Sequence, residues 1–191
     1  MAPSGQPRPL GEVPVATLGE ALAARGPGPA AGSTAAVTAA LAAGLAGKVA
    51  KAAARTDPAA LDLSHELDGL RARALGLADD DVAAFAGFLA ARKAPGGDAG
   101  ATEAIVQVPL DVLAVAVRVT EIAAALAEHG PDALSGDAVT ASLLASAAAE
   151  SASALVGINI ADGPEAWADP RVEDAEERAG EARRLAERAA F

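Results

Sequence analysis

The chain has 191 residues, enough for one domain with a real core. It is 52% hydrophobic but only 2% aromatic, carries 15 Lys+Arg against 26 Asp+Glu for a net charge of −11, and contains no cysteine. That composition excludes a disulfide framework, a thiolate metal site and a cysteine nucleophile, and the lack of a basic patch interleaved with aromatics speaks against nucleic-acid binding.

In chain order, Met1–Val15 is rich in proline and glycine, has no hydrophobic signal core, and is expected to be a flexible arm. Thr17 and Glu20 have capping-box spacing and open a short helix to about Arg25. Gly26–Gly32 (GPGPAAG) reads as a loop, after which Ser33 or Thr34 is expected to cap a long small-residue helix reaching about Arg55. Asp57-Pro58 is a capping acid followed by proline at the first helical position, and the helix it opens is expected to run to Lys93. Ala94–Gly100 is a break. A fourth helix spans about Thr102 to Glu128, with Pro109 expected to kink it or delay its start, and His129-Gly130-Pro131 stops it. Ser135 is expected to cap a fifth helix ending near Ile160, stopped by Asp162-Gly163-Pro164. The charged tail 164–190 reads as a further helix, solvated on the surface or partly frayed.

Alternating strand patterns and solenoid-length repeats are absent, so the expected fold is all-α. It is a bundle of about five or six long alanine-rich helices forming a single domain over residues 16–191. Alanine is the best helix former and a poor core filler, so such helices must approach closely or bury surface against another subunit. The most apolar stretch, Val139–Ile160, contains Glu150 and many small residues, and no membrane span is expected. His65 and His129 are far apart in the chain, and no metal site is expected.

The third helix carries the most chemical information. Leu63, Leu67, Leu70, Ala74, Leu77, Ala84 and Phe88 alternate in steps of four and three, and Asp81 falls on that apolar stripe. A carboxylate on a packing seam must be paired, hydrogen-bonded or aimed at a cavity; the alternative is an exposed helix end with Asp81 in water. Asp79 and Asp80 point elsewhere. Glu150, the only charged residue between Asp137 and Asp162, raises the same question, with Lys48 or Lys51 as possible partners. Asp137 complements the dipole of the helix Ser135 opens. Asn159, among aliphatics, needs a partner and could satisfy a helix terminus or hold a ligand amide. The loop before Ser33 presents free N–H groups.

Taken in order, PAAGSTAAVTAALAAGLAGKVA, LRARALGLADDDVAAF, Pro109 within a long helix, Gly136-Asp137 opening the next and the GINI run ending it resemble the formiminotetrahydrofolate cyclodeaminase and methenyltetrahydrofolate cyclohydrolase family. The DxxAF element, Asp81 to Phe85, is the closest match. The resemblance implies a helical homodimer, cytoplasmic, with no cofactor or metal required and a tetrahydrofolate derivative as substrate. The implied chemistry interconverts 5-formimino-, 5,10-methenyl- and 10-formyl-tetrahydrofolate through a proton-shuttling carboxylate. Asp81 is the first candidate, Asp137 the second, with Glu150 a third, and Gly32, Ser33, Phe85, Pro109 and Asn159 are the candidate ligand contacts. The family's PGGGS loop is PAAGS here, with Ala30 and Ala31 in place of two glycines. Two other readings stand beside this one: the same scaffold used as a cyclase or hydrolase on a non-folate small molecule in specialised metabolism, and a non-catalytic helical binding or scaffold protein.

Overall fold

The computed structural model describes residues 8–93, 99–161 and 169–191, the side chain of Ala99 excepted. The described residues form six α-helices: α1 (Val15–Ala23), α2 (Ala31–Ala53), α3 (Ala59–Ala91), α4 (Ala99–His129), α5 (Ser135–Ala161) and α6 (Pro170–Ala190). Single 3-10 turns sit at Leu10–Glu12 and Asp132–Leu134, and no strand occurs among the described residues. The all-α expectation holds. The predicted stop at Asp162-Gly163-Pro164 lies outside the described residues, as does most of the break at Ala94–Gly100, of which Ala99 and Gly100 already belong to α4.

Four ion pairs and one hydrogen bond fix the direction of the core helices. Lys51–Asp68 sets α2 against α3, Arg73–Asp111 and Arg118–Glu66 set α3 against α4, and Lys48–Asp137 sets α2 against α5. Asn159, at the end of α5, bonds to Ile105 near the start of α4. Lys51–Asp68, Lys48–Asp137 and Asn159–Ile105 each join the late part of one helix to the early part of the other, and between α3 and α4 the partner number rises from Asp111 to Arg118 as the α3 number falls from Arg73 to Glu66, so α2–α5 form an antiparallel bundle. Helix α6 lies on α4 and α5, with Arg171 reaching Glu103.

The core is built almost without large side chains. Nothing bulkier than Val49 is buried on α2, and the buried stripe of α6 is Ala175, Ala179, Ala182 and Ala186. Larger groups come from α3 and α4, chiefly Leu67, Leu113, Val112 and Val119. The charged tail is therefore a docked helix, held by alanines that let its backbone come close and begun by Asp169, whose carboxylate accepts the Arg171 N–H. By length and composition α2 and α5 could each cross a membrane, yet 61% of the apolar window of α2 is buried against other helices.

Asp57 accepts the Ala59 N–H, the capping role read from Asp57-Pro58. Pro109 does not interrupt α4. Within the expected N-terminal arm, residues 8–15 are described: the Leu10–Glu12 turn is tied to α3 by the Leu10 N–H donating to Asp79 Oδ1 at 2.8 Å.

Two outcomes follow. Filling this core is as harmful as emptying it: Ala39→Leu, at a fully buried α2 position, lowers stability by about 1–3 kcal/mol and Leu67→Ala by about 2–5 kcal/mol, read from denaturant midpoints. Second, the Arg118 guanidinium holds the Glu66 carboxyl below its ordinary range. A depressed folded-state value means that this stabilisation is present above about pH 4.5, the unfolded value, and fades as pH falls through the folded one. Because the pair is partly exposed, its contribution is roughly 0.2–1 kcal/mol. Glu66→Gln should flatten the acid limb of stability against pH by that amount and leave the neutral-pH slope unchanged.

Candidate active site

At one end of the bundle the first turn of α2 meets the late part of α3. A helix start leaves its first N–H groups without intrahelical partners. Here the Asp81 carboxylate, from α3, supplies the missing acceptor: Oδ2 takes the Ser33 N–H at 2.8 Å and the Ser33 hydroxyl at 2.7 Å. The expectation that Ser33 or Thr34 caps α2 is corrected. The helix begins at Ala31, so Ser33 lies inside its first turn and its hydroxyl donates to Asp81. The Thr34 hydroxyl donates back to the Ala30 carbonyl. The cap comes from another helix.

This contact explains Gly32. A Cβ there would fall inside the Asp81 carboxyl group, 2.6 Å from its Cγ. Ala30 and Ala31 meet no such obstacle. Ala30 sits at φ −142°, and no non-glycine residue among those described has positive φ, so neither alanine occupies the left-handed region that favours glycine.

Beside Asp81 opens a cavity of about 200 Å³. Gly28, Ala30, Ala31 and Gly32 form one wall, Asp81, Ala84 and Phe85 a second, and Ile105, Val108, Leu155 and Asn159 close it. The structure thus brings Asp81, Gly32, Phe85 and Asn159 to one cavity, with Ser33 buried behind Asp81. Among the described residues, no donor bonds to Asp81 Oδ1 or Asn159 Oδ1 and no cationic side chain lines the space.

The other candidates lie elsewhere. Asp137 is paired with Lys48 on the flank between α2 and α5. Glu150 is exposed and faces an open groove towards Glu176 and Arg183 of α6; Lys48 and Lys51, its anticipated partners, are engaged by Asp137 and Asp68. Pro109 is buried but does not line the cavity. A larger, more open groove of about 990 Å³ runs between α4 and the end of α6, past Phe191. Its acidic members Glu121, Glu128 and Glu187 are exposed, and it lacks a carboxylate set on an apolar wall, so the smaller cavity is the better chemical site. No group of three or more His, Asp or Glu side chains among the described residues is spaced to hold a metal ion.

Sequence reasoning missed the Ile105 carbonyl. The Asn159 Nδ2 donates to it at 2.5 Å. Its usual partner would be the N–H four residues on, at position 109, and proline has none. The signal was present: Pro109 inside a helix implies an orphan carbonyl at Ile105.

Gly32→Ala should be the most damaging single-methyl change in the site, forcing α2 off Asp81. Ser33→Ala should cost about 1.5–3 kcal/mol, a hydrogen bond to a charged group. Thermal melts of the two variants check both, and a Gly32→Ala protein as stable as the parent contradicts the close approach.

The formiminotransferase-cyclodeaminase family model matches residues 14–176. Among solved structures, the chain is similar to a formiminotetrahydrofolate cyclodeaminase from Thermotoga maritima. The TM-score is 0.81 at 23% sequence identity, over 94% of this chain and 93% of that one. No curated protein matches. At that identity the structural likeness speaks for the fold, while the family match spans most of the sequence. This chain, with its antiparallel alanine-rich bundle, belongs to the formiminotransferase-cyclodeaminase family.

Proposed function

We propose that the chain is an enzyme acting on a reduced folate, interconverting the 5-formimino, 5,10-methenyl and 10-formyl forms, with Asp81 as the proton-carrying group. The observation that carries this reading is the half-buried Asp81 carboxylate at the cavity wall, with Oδ2 committed to Ser33 and Oδ1 packed against Gly32 with no donor among the described residues. In the cyclisation, N10 attacks the amidine carbon, and the carboxylate takes the N10 proton and returns it to the departing nitrogen, which leaves as ammonia. In the hydrolysis, water adds to the methenyl carbon; Asp81 removes a proton from that water and delivers one to N5 as the ring opens. Ser33 holds the carboxylate in one orientation, and Phe85 with Leu155 offers flat apolar surface to a ring. The cavity of about 200 Å³ suits the reacting end of such a substrate, and the rest would extend into solvent.

Asp137 and Glu150 are not needed for this chemistry. The acceptor-rich lining also suits the alternative of a non-folate substrate with an amidine or iminium centre, and turnover decides between them. Purified protein should hydrolyse 5,10-methenyltetrahydrofolate above the buffer rate, followed by loss of its absorbance. Asp81→Asn keeps an acceptor for Ser33 and should fold, yet lose about 10²–10⁴ of the rate. Parent protein with no rate above buffer and no folate-dependent rise in Tm removes the folate reading.

The same proposal includes a homodimer free in the cytoplasm. Leu41 on α2 and Leu144 on α5 are both exposed and stand level by the register that Lys48–Asp137 sets, with Leu143 also exposed beside Leu144. Leu41→Glu together with Leu144→Glu should convert a dimer to a monomer in light-scattering chromatography; a parent that is already monomeric at micromolar concentration overturns this part.

A further inference from the structure

Asn159 has two ends, and the structure decides which faces the cavity. Side-chain amide orientation is fixed by the hydrogen-bond network around it. The carbonyl of the buried Ile105 has no backbone donor, because the position one turn ahead is Pro109. The Asn159 Nδ2 fills that vacancy at 2.5 Å. Turned over, the amide would set its oxygen against the Ile105 oxygen, acceptor against acceptor, and leave a buried carbonyl unsatisfied. Asn159 lines the same cavity as Asp81, and its Oδ1 accepts nothing from the described residues.

We propose that Pro109 is a positioning residue: by withholding an N–H from Ile105 it commits the Asn159 amide nitrogen to that carbonyl and leaves Oδ1 as a fixed acceptor for an N–H of the ligand held beside Asp81. Among the described residues the cavity then presents two acceptors and no fixed cation, so it selects a planar, nitrogen-rich edge that donates. A ligand offering only carbonyl oxygens at that place would meet two repelling groups. The proposal rests on the cavity being the binding site named above, and it does not require the ligand to be a folate.

The test uses the full chain and Pro109→Ala. Alanine restores the helical N–H and removes the need for Asn159 at Ile105. A purely structural proline predicts a variant of equal or higher Tm with unchanged ligand behaviour. The positioning role predicts the equal or higher Tm together with two further changes. In the parent, the Asn159 side-chain NH₂ exchanges slowly with solvent by NMR; in Pro109→Ala that protection is lost. Titration with formamidinium chloride, a small planar N–H donor, shifts the Asn159 side-chain signals in the parent and much less in the variant. With 5,10-methenyltetrahydrofolate, KM should rise about tenfold, equivalent to about 1.4 kcal/mol, at nearly constant kcat, and Asn159→Leu should reproduce that split. If the parent turns over no folate but the exchange and formamidinium results hold, the substrate reading fails and the positioning role stands. If Asn159 stays equally protected in Pro109→Ala, or formamidinium shifts both proteins alike, the positioning role is wrong whatever the folate assay shows.

Discussion

The constraint on which this structure depends is that its central helices have almost nothing to pack with. Where a typical core interdigitates leucine and phenylalanine, α2 and α6 offer alanine, so burial must come from backbones in near contact. Near contact is selective. It demands small residues along every facing stripe and antiparallel neighbours with compatible ends, and it leaves little slack for side chains to adjust. The larger residues of α3 and α4 then fill what the alanines cannot, as Leu67 does beside Gly47.

The site inherits its geometry from this closeness. Only because α2 and α3 approach so tightly can a carboxylate on α3 act as the cap of α2, with Gly32 passing directly beneath it. One side chain therefore serves two purposes. Asp81 satisfies the orphaned N–H of Ser33 through one oxygen and also forms part of the cavity wall. The positive end of the α2 dipole favours a negative charge at that place, so the bundle that forms the cavity also sets the carboxylate in its wall.

Much of this was legible in the sequence. The helix spans follow from apolar periodicity and from Gly and Pro punctuation, and the seam Leu63–Phe88 sets Asp81 on an apolar stripe. Asp57-Pro58 named its own cap. What could not be read is what crosses between helices. The start of α2 is capped by Asp81, 48 residues away in sequence, whereas local cap chemistry points only to Ser33 or Thr34. The charged residues of the tail helix suggest a solvated segment, whereas its docking depends on four alanines that a hydrophobicity pattern scarcely registers. Glu150 drew notice as a charge in an apolar run; helix α5 is apolar on its exposed side as well, so periodicity could not say which way Glu150 faced.

Pro109 shows how a local defect can become a distant instruction. In an isolated helix, a proline at that position leaves a carbonyl exposed and weakens the helix. In this bundle the vacancy is met by Asn159 on α5, 54 residues on, and the meeting removes one of the two orientations open to that amide. The exposed end of Asn159 is then decided by a residue that touches no ligand. The same logic governs the loop in which alanines replace two of the family's glycines: neither Ala30 nor Ala31 has a positive φ, so their effect falls on the shape of the cavity wall that both line. Gly32 alone could not change, because at that point the wall is the Asp81 carboxylate itself. Scaffold and specificity are thus separable in this chain along a line drawn at Gly32, with the loop side free to reshape the cavity and the buried stripe on the helix side bound to the packing of α2 on its neighbours.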